Sequence, residues 1–127
     1  MHEFGITSRI VQTVFRVADE HGAARVARVD LLVGQLTFLN VDQVKLAYDL
    51  LVRGTSLEGS QLLVKESPGR VECSRCHHQR QVDFPSSFDP GGLSEPLPLF
   101  SCSECGGEVS IVGGKECQIT GLVLESE

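Results

Sequence analysis

Two cysteine pairs, Cys73-x-x-Cys76 and Cys102-x-x-Cys105, carry the most sharply defined chemistry in the chain. Thiolates two residues apart across a tight turn can bind one metal ion side by side, and two such turns supply the four sulfurs that tetrahedral zinc prefers. Four thiolates leave no position open for water or substrate, so the spacing predicts a structural zinc site and not a catalytic one. A thioredoxin-type dithiol would sit at a strand-to-helix turn, and neither pair does. The fifth cysteine, Cys117, is predicted to be a small buried hydrophobe in the last strand. His77 and His78 directly follow Cys76 and are predicted to be solvated neighbours of the turn, with replacement ligands or a weak second metal site as the alternative.

A second set of donors stands at the amino terminus, Met1-His2-Glu3. The Met1 amine, the His2 backbone nitrogen and the His2 imidazole can form linked five- and six-membered chelate rings, a planar nitrogen set to which Glu3 can add its backbone nitrogen or its carboxylate. Planar nitrogen and oxygen donors favour divalent nickel or copper, whereas the sulfur site favours zinc, so ligand type alone could keep two metals apart. Taken alone, the tripeptide reads first as a frayed chain end. Histidine is, however, too bulky a second residue for efficient methionine removal, which keeps the amine where a chelate needs it.

The elements that must position these groups follow from periodicity. The chain has 127 residues, 41% hydrophobic and 22% charged, enough for one compact domain with a small satellite and unlike a disordered tail. A stripe at Ile10, Val11, Val14, Phe15 and Ala18 predicts a helix over Ile6 to His21, stopped by Gly22. Alternation at Ala27, Val29, Leu31 and Val33 predicts a strand over 25–34. Asn40 predicts the cap of a second helix, with Gln43 bonding back in a capping box. Val44, Ala47, Tyr48 and Leu51 would form that helix's buried stripe. Further strands are predicted over 61–66 and 116–124, the first parallel to 25–34 through a right-handed crossover. Between Cys76 and Cys102 lie Pro85, Pro90, Pro96 and Pro98, so no buried regular element is predicted there and residues 85–98 read as a long loop.

The resulting fold class is α+β: two helices on a small three-stranded mixed sheet, with an inserted zinc-ribbon-like domain. The expected division is 1–68 with 114–127 for the α+β domain and 69–113 for the zinc-binding domain. So small an insertion, poor in apolar residues, needs a staple, and zinc would supply it.

This order of elements and motifs resembles the HypA/HybF nickel metallochaperones, which help mature nickel-iron hydrogenases and, in some organisms, urease. The resemblance rests on Met1-His2-Glu3, on Val29 to Leu36, on Gly54-Thr55 with Glu58-Gly59, on both cysteine pairs and on Gly114-Lys115-Glu116. It implies Ni(II) held by Met1, His2 and Glu3, and Zn(II) held by Cys73, Cys76, Cys102 and Cys105. It further implies delivery of nickel with a HypB-like GTPase to a hydrogenase large-subunit precursor, by a protein that is not itself an enzyme. The chain departs from many members in the wider separation of its cysteine pairs, in having no histidine after His78, and in Cys117, where an aliphatic residue is common. A nickel ligand from the loop is therefore not implied here.

Competing classes fare less well. A zinc-ribbon nucleic-acid or protein-interaction module is the alternative, with Arg70, Arg75 and Arg80 near the first pair. Those three arginines face six acids within 69–113, a net of −3 in a chain of net charge −6, the wrong sign for a phosphate binder. No H-E-x-x-H supports a zinc hydrolase, and no G-x-x-x-x-G-K-[ST] loop cradles phosphates, so nucleotide chemistry would come from a partner. The amino-terminal residues do not read as a secretory signal and no apolar run reaches the roughly 18 residues a membrane span needs, so the expected location is the cytoplasm, without membrane insertion.

Overall fold

The structure, a computed structural model, describes residues 2–82, 101–102 and 104–126. Met1 and the proline-rich stretch 85–98 therefore lie outside the described residues. The chain packs into two compact units. One comprises residues up to Leu32, Leu39–Lys65 and the segment from Gln118; the other comprises Val33–Phe38 and Glu66–Cys117.

The first unit opens with α1 (His2–Glu20), which buries Thr7, Ile10, Val11, Val14 and Ala18. The helix starts at His2 and not at Ile6, because its first turn carries Glu3 and Thr7 closes on it, donating its hydroxyl to the Glu3 carbonyl at 2.6 Å. Strand β1 (Arg25–Gly34) buries Val26, Val29, Leu31 and Val33, so the alternation holds from Val29 onward while Val26, not Ala27, is inward at the start. Helix α2 (Val41–Leu51) packs against α1 and buries Val44, Ala47 and Tyr48, with the Tyr48 hydroxyl bonded to Ser60 Oγ at 2.6 Å.

Strands β2 (Gln61–Ser67) and β6 (Cys117–Glu125) flank β1 in the order β2-β1-β6. Amide-to-carbonyl bonds from Ala24 to Glu125 and from Gly34 to Glu116 set β6 antiparallel to β1. The strand–helix–strand crossover from β1 through α2 calls for β2 parallel to β1, which with the antiparallel β6 makes a mixed sheet.

The second unit holds three strands absent from the sequence reading: β3 (Gly69–Cys73), β4 (Gln79–Val82) and β5 (Val109–Gly113), in the order β4-β3-β5. Both pairings are antiparallel, Val71 opposite Arg80 on one side and opposite Ile111 on the other. Strand β4 corrects the expectation of no buried regular element between Cys76 and Cys102. It ends before the first proline, and Val82 is buried with Val71 and Leu36, Val109 packing beside them. Leu36 comes from a single 3-10 turn, Gln35–Thr37, in the second unit, where it is buried with Val71 and Val82.

Gly34 and Gly114 meet where neither has room for a side chain. A Cβ on Gly34 would run into the carbonyl of Gly114, and one on Gly114 would sit 2.6 Å from the Gly69 Cα. The Glu116 carboxylate fastens this crowded point, accepting from Ser67 Oγ at 2.6 Å and from the Gly114 amide at 2.8 Å. The Ser67 hydroxyl and then the Gly114 amide hold its pKa below the usual carboxylate range.

Candidate metal centres

The four paired cysteines meet. Their sulfurs all lie within 4.8 Å of one another, and among the described residues they form the one cluster of His, Cys, Asp or Glu able to hold a metal ion. Two turns of the same construction present them. In the first, the Cys73 amide donates to the His78 carbonyl at 2.9 Å and the His77 amide to the Cys73 carbonyl at 3.0 Å. In the second, the Cys102 amide donates to the Gly107 carbonyl at 2.8 Å and the Gly106 amide to the Cys102 carbonyl at 2.9 Å. His77 (φ 63°) and Gly106 (φ 72°) occupy the same left-handed position. His77 thus has a backbone role that its side chain does not reveal; its ring, like that of His78, is outside the sulfur cluster. The two turns are tied by Ser74, whose amide and hydroxyl both donate to the Glu108 carbonyl, at 3.0 and 3.1 Å.

Within the cluster the sulfurs are unequal. Cys73 and Cys102 are buried, Cys76 and Cys105 exposed. Cys73 Sγ accepts the amides of Arg75 (3.3 Å) and Cys76 (3.4 Å), and Cys102 Sγ accepts that of Glu104 (3.3 Å). The amides of Cys76 and Arg75 bring the Cys73 thiol down to about 6, and those of Cys105 and Glu104 lower Cys102. At Cys76 the His78 amide pulls down, but partial desolvation and the sulfurs of Cys102, Cys105 and Cys73 outweigh it and push the thiol up to about 12. Four sulfurs competing for protons in so small a volume are a donor set that fits zinc, which removes the competition by binding all four as thiolates. Cys117 is a correction: it is exposed at the first position of β6, not buried. Desolvation nonetheless raises its thiol.

At the amino terminus, His2 and Glu3 fall in the first turn of α1, with His2 Nδ1 4.0 Å from Glu3 Oε1 and the His2 side chain 63% exposed. The third predicted donor, Met1, lies outside the described residues. The other Glu3 oxygen is engaged: Oε2 accepts the Asn40 amide at 3.1 Å. Asn40 caps α2 as predicted, its side chain accepting from the Gln43 amide at 3.1 Å, but the return bond of the capping box comes from Glu3 and not from Gln43. Sequence pattern alone misses this role, since the two residues are 37 apart in the chain.

With this geometry in view, the comparisons with known proteins are specific. The family described as "Hydrogenase/urease nickel incorporation, metallochaperone, hypA" matches residues 1–124. The hydrogenase maturation factor HypA of Methanopyrus kandleri is 32% identical over 134 residues, covering 98% of this chain and 94% of that protein. That of Methanothermobacter thermautotrophicus is also 32% identical, covering 100% and 99%. Among solved structures, the nickel metallochaperone HypA from Helicobacter pylori superposes with a TM-score of 0.65 over 98% of each chain at 17% sequence identity, a likeness of fold. The family model matches nearly the whole length and relatives 32% identical cover 94% or more of both chains, so the chain belongs to the HypA family of nickel metallochaperones and hydrogenase maturation factors.

Proposed function

We propose that the chain binds Ni(II) as cargo at its amino terminus through Met1, His2 and Glu3 and delivers it for maturation of nickel-iron hydrogenase, with urease as the alternative recipient. A HypB-like GTPase and the hydrogenase large-subunit precursor are the partners of this reading, the cytoplasm its location, and nickel transfer without catalysis its chemistry. Zn(II) is held by Cys73, Cys76, Cys102 and Cys105 and shapes the domain around residues 69–113. No helix among the described residues is long and apolar enough to cross a membrane.

The observation that carries the reading is the place of His2 and Glu3 in a first helical turn. Amides of a first turn have no intrahelical acceptor, so a metal can take their nitrogens without breaking a helix bond. An amide nitrogen that releases its proton to solvent as nickel binds also removes positive partial charge from the helix start, which would otherwise repel a cation. With Oε2 engaged by Asn40, Glu3 offers its amide nitrogen and Oε1. Three nitrogens from Met1 and His2 leave a fourth planar position to Glu3, water or a group on the receiving protein, and so open an ion is easier to hand over than one enclosed by four sulfurs.

The experiment combines metal analysis and calorimetry on the full, untagged chain. His2→Ala loses specific nickel binding while keeping its zinc and its circular dichroism; a Cys73→Ser, Cys102→Ser double variant loses zinc and the order of residues 69–113. Undiminished nickel affinity in His2→Ala refutes the nickel assignment, and unchanged zinc in the double variant refutes the zinc assignment.

A further inference from the structure

The zinc cluster divides into two kinds of sulfur, and that division predicts more than a structural role. Cys73 and Cys102, the first cysteine of each turn, are buried and wrapped by main-chain amides. Amide donation to a thiolate draws charge from the sulfur and lowers its nucleophilicity, as a fall in pKa does. Cys76 and Cys105, the second cysteine of each turn, face solvent. Gly107 packs against one sulfur of each kind: a Cβ there would lie 3.1 Å from the Cys73 sulfur and 3.2 Å from that of Cys105. Each exposed sulfur also has a buried one from the opposite turn at hand, Cys105 at 3.5 Å from Cys73 and Cys76 at 3.7 Å from Cys102.

We infer that the four-cysteine site is also a peroxide-responsive thiol switch, attacked at Cys105 and closed by a disulfide from Cys105 to Cys73. The inference rests on zinc filling the cluster. The Cys105 thiolate attacks one oxygen of hydrogen peroxide, breaking the O–O bond; the sulfur becomes a sulfenic acid and hydroxide leaves. The Cys73 thiolate then attacks the Cys105 sulfur and expels a second hydroxide as the S–S bond forms. Two thiolates are oxidised by two electrons and one peroxide is reduced. Cys76 and Cys102 remain as two ligands where zinc prefers four, so the ion is released. A dithiol reductant reverses the step by thiol–disulfide exchange, after which zinc rebinds. The disulfide joins the two turns across the cluster, unlike the within-pair bond of a C-x-x-C oxidoreductase.

The test uses the full chain carrying Cys117→Ser, which removes the exposed thiol outside the cluster. Zinc content is measured first, then the zinc-loaded protein is treated with limiting N-ethylmaleimide in one arm and limiting hydrogen peroxide in the other. Peptide mass spectrometry reads sites and disulfide connectivity, and a chromophoric chelator reads released zinc. Cys105 and Cys76 are expected to label about tenfold faster than Cys73 and Cys102. Peroxide is expected to give mainly the Cys73–Cys105 disulfide, with one zinc released per bond and recovered after dithiol treatment. Equal labelling of the four cysteines, or disulfides mainly within the pairs, overturns the inference while leaving the zinc assignment intact. A chain that binds no zinc overturns both.

Discussion

The carboxylate of Glu3, in the first turn of α1, accepts the main-chain amide of Asn40, the residue that caps α2, at 3.1 Å. One hydrogen bond thereby joins the amino-terminal tripeptide, the proposed nickel site, to the start of the second helix, and a residue read as a metal donor is found holding its own segment in place. The Asn40 amide, first among the causes, keeps the Glu3 carboxyl below its ordinary pKa.

That depression fixes the direction of a pH effect. A carboxyl whose folded pKa lies below its unfolded value of about 4.3 adds stability that is present above that value and is lost as pH falls through the folded pKa. Glu3→Ala should therefore cost about 1 kcal/mol at pH 7, the usual worth of a capping hydrogen bond, and less below about pH 4. Urea unfolding of parent and variant at both pH values checks this. A penalty that is the same at both would show that the ionised carboxylate is not what Asn40 requires.

The crowded meeting of Gly34 with Gly114 leads to a second expectation. Gly34→Ala has no room for its methyl group against the Gly114 carbonyl, so backbone must shift, at a cost of about 3 kcal/mol or more. Glu116→Ala leaves the Gly114 amide and the Ser67 hydroxyl without their partner and should lower the denaturant midpoint. Denaturant midpoints measure both. A Gly34→Ala protein within about 0.5 kcal/mol of the parent would contradict the close approach.

His77 stands where the second turn has Gly106, both in the left-handed region. A non-glycine residue there bears a backbone cost of about 1 kcal/mol, partly offset by the greater freedom glycine regains on unfolding. His77→Gly should therefore keep one zinc and change stability by no more than about 1 kcal/mol. Zinc loss in that variant, read by metal analysis, would make His77 a ligand after all.

Much of this was legible in the residues because the signals were local. The two C-x-x-C spacings place four sulfurs in one cluster, the helical stripe through Val14 and Ala18 is buried, and Asn40 caps the helix that follows it. What escaped the sequence depends on distant partners. Strand β4 has a single apolar residue, Val82, and β5 leaves Ile111 and Val112 exposed, so neither advertises a buried face; their sheet takes shape only when Leu36, Val71 and Val82 come together. The Glu3 to Asn40 bond likewise has no short-range signature. Cys117 misled because its residue type is usually buried, whereas its place at the start of a flanking strand leaves it exposed.

The central claim is nickel bound through the terminal amine, and the most direct measurement is calorimetric titration of Ni(II) into the zinc-loaded, untagged protein beside the same protein acetylated on Met1. Acetylation removes one planar donor and no side chain, so the zinc site and the fold serve as internal controls. The account predicts that specific nickel binding at neutral pH is lost on acetylation while one zinc per chain is retained. Nickel binding of equal affinity in the acetylated protein would contradict it.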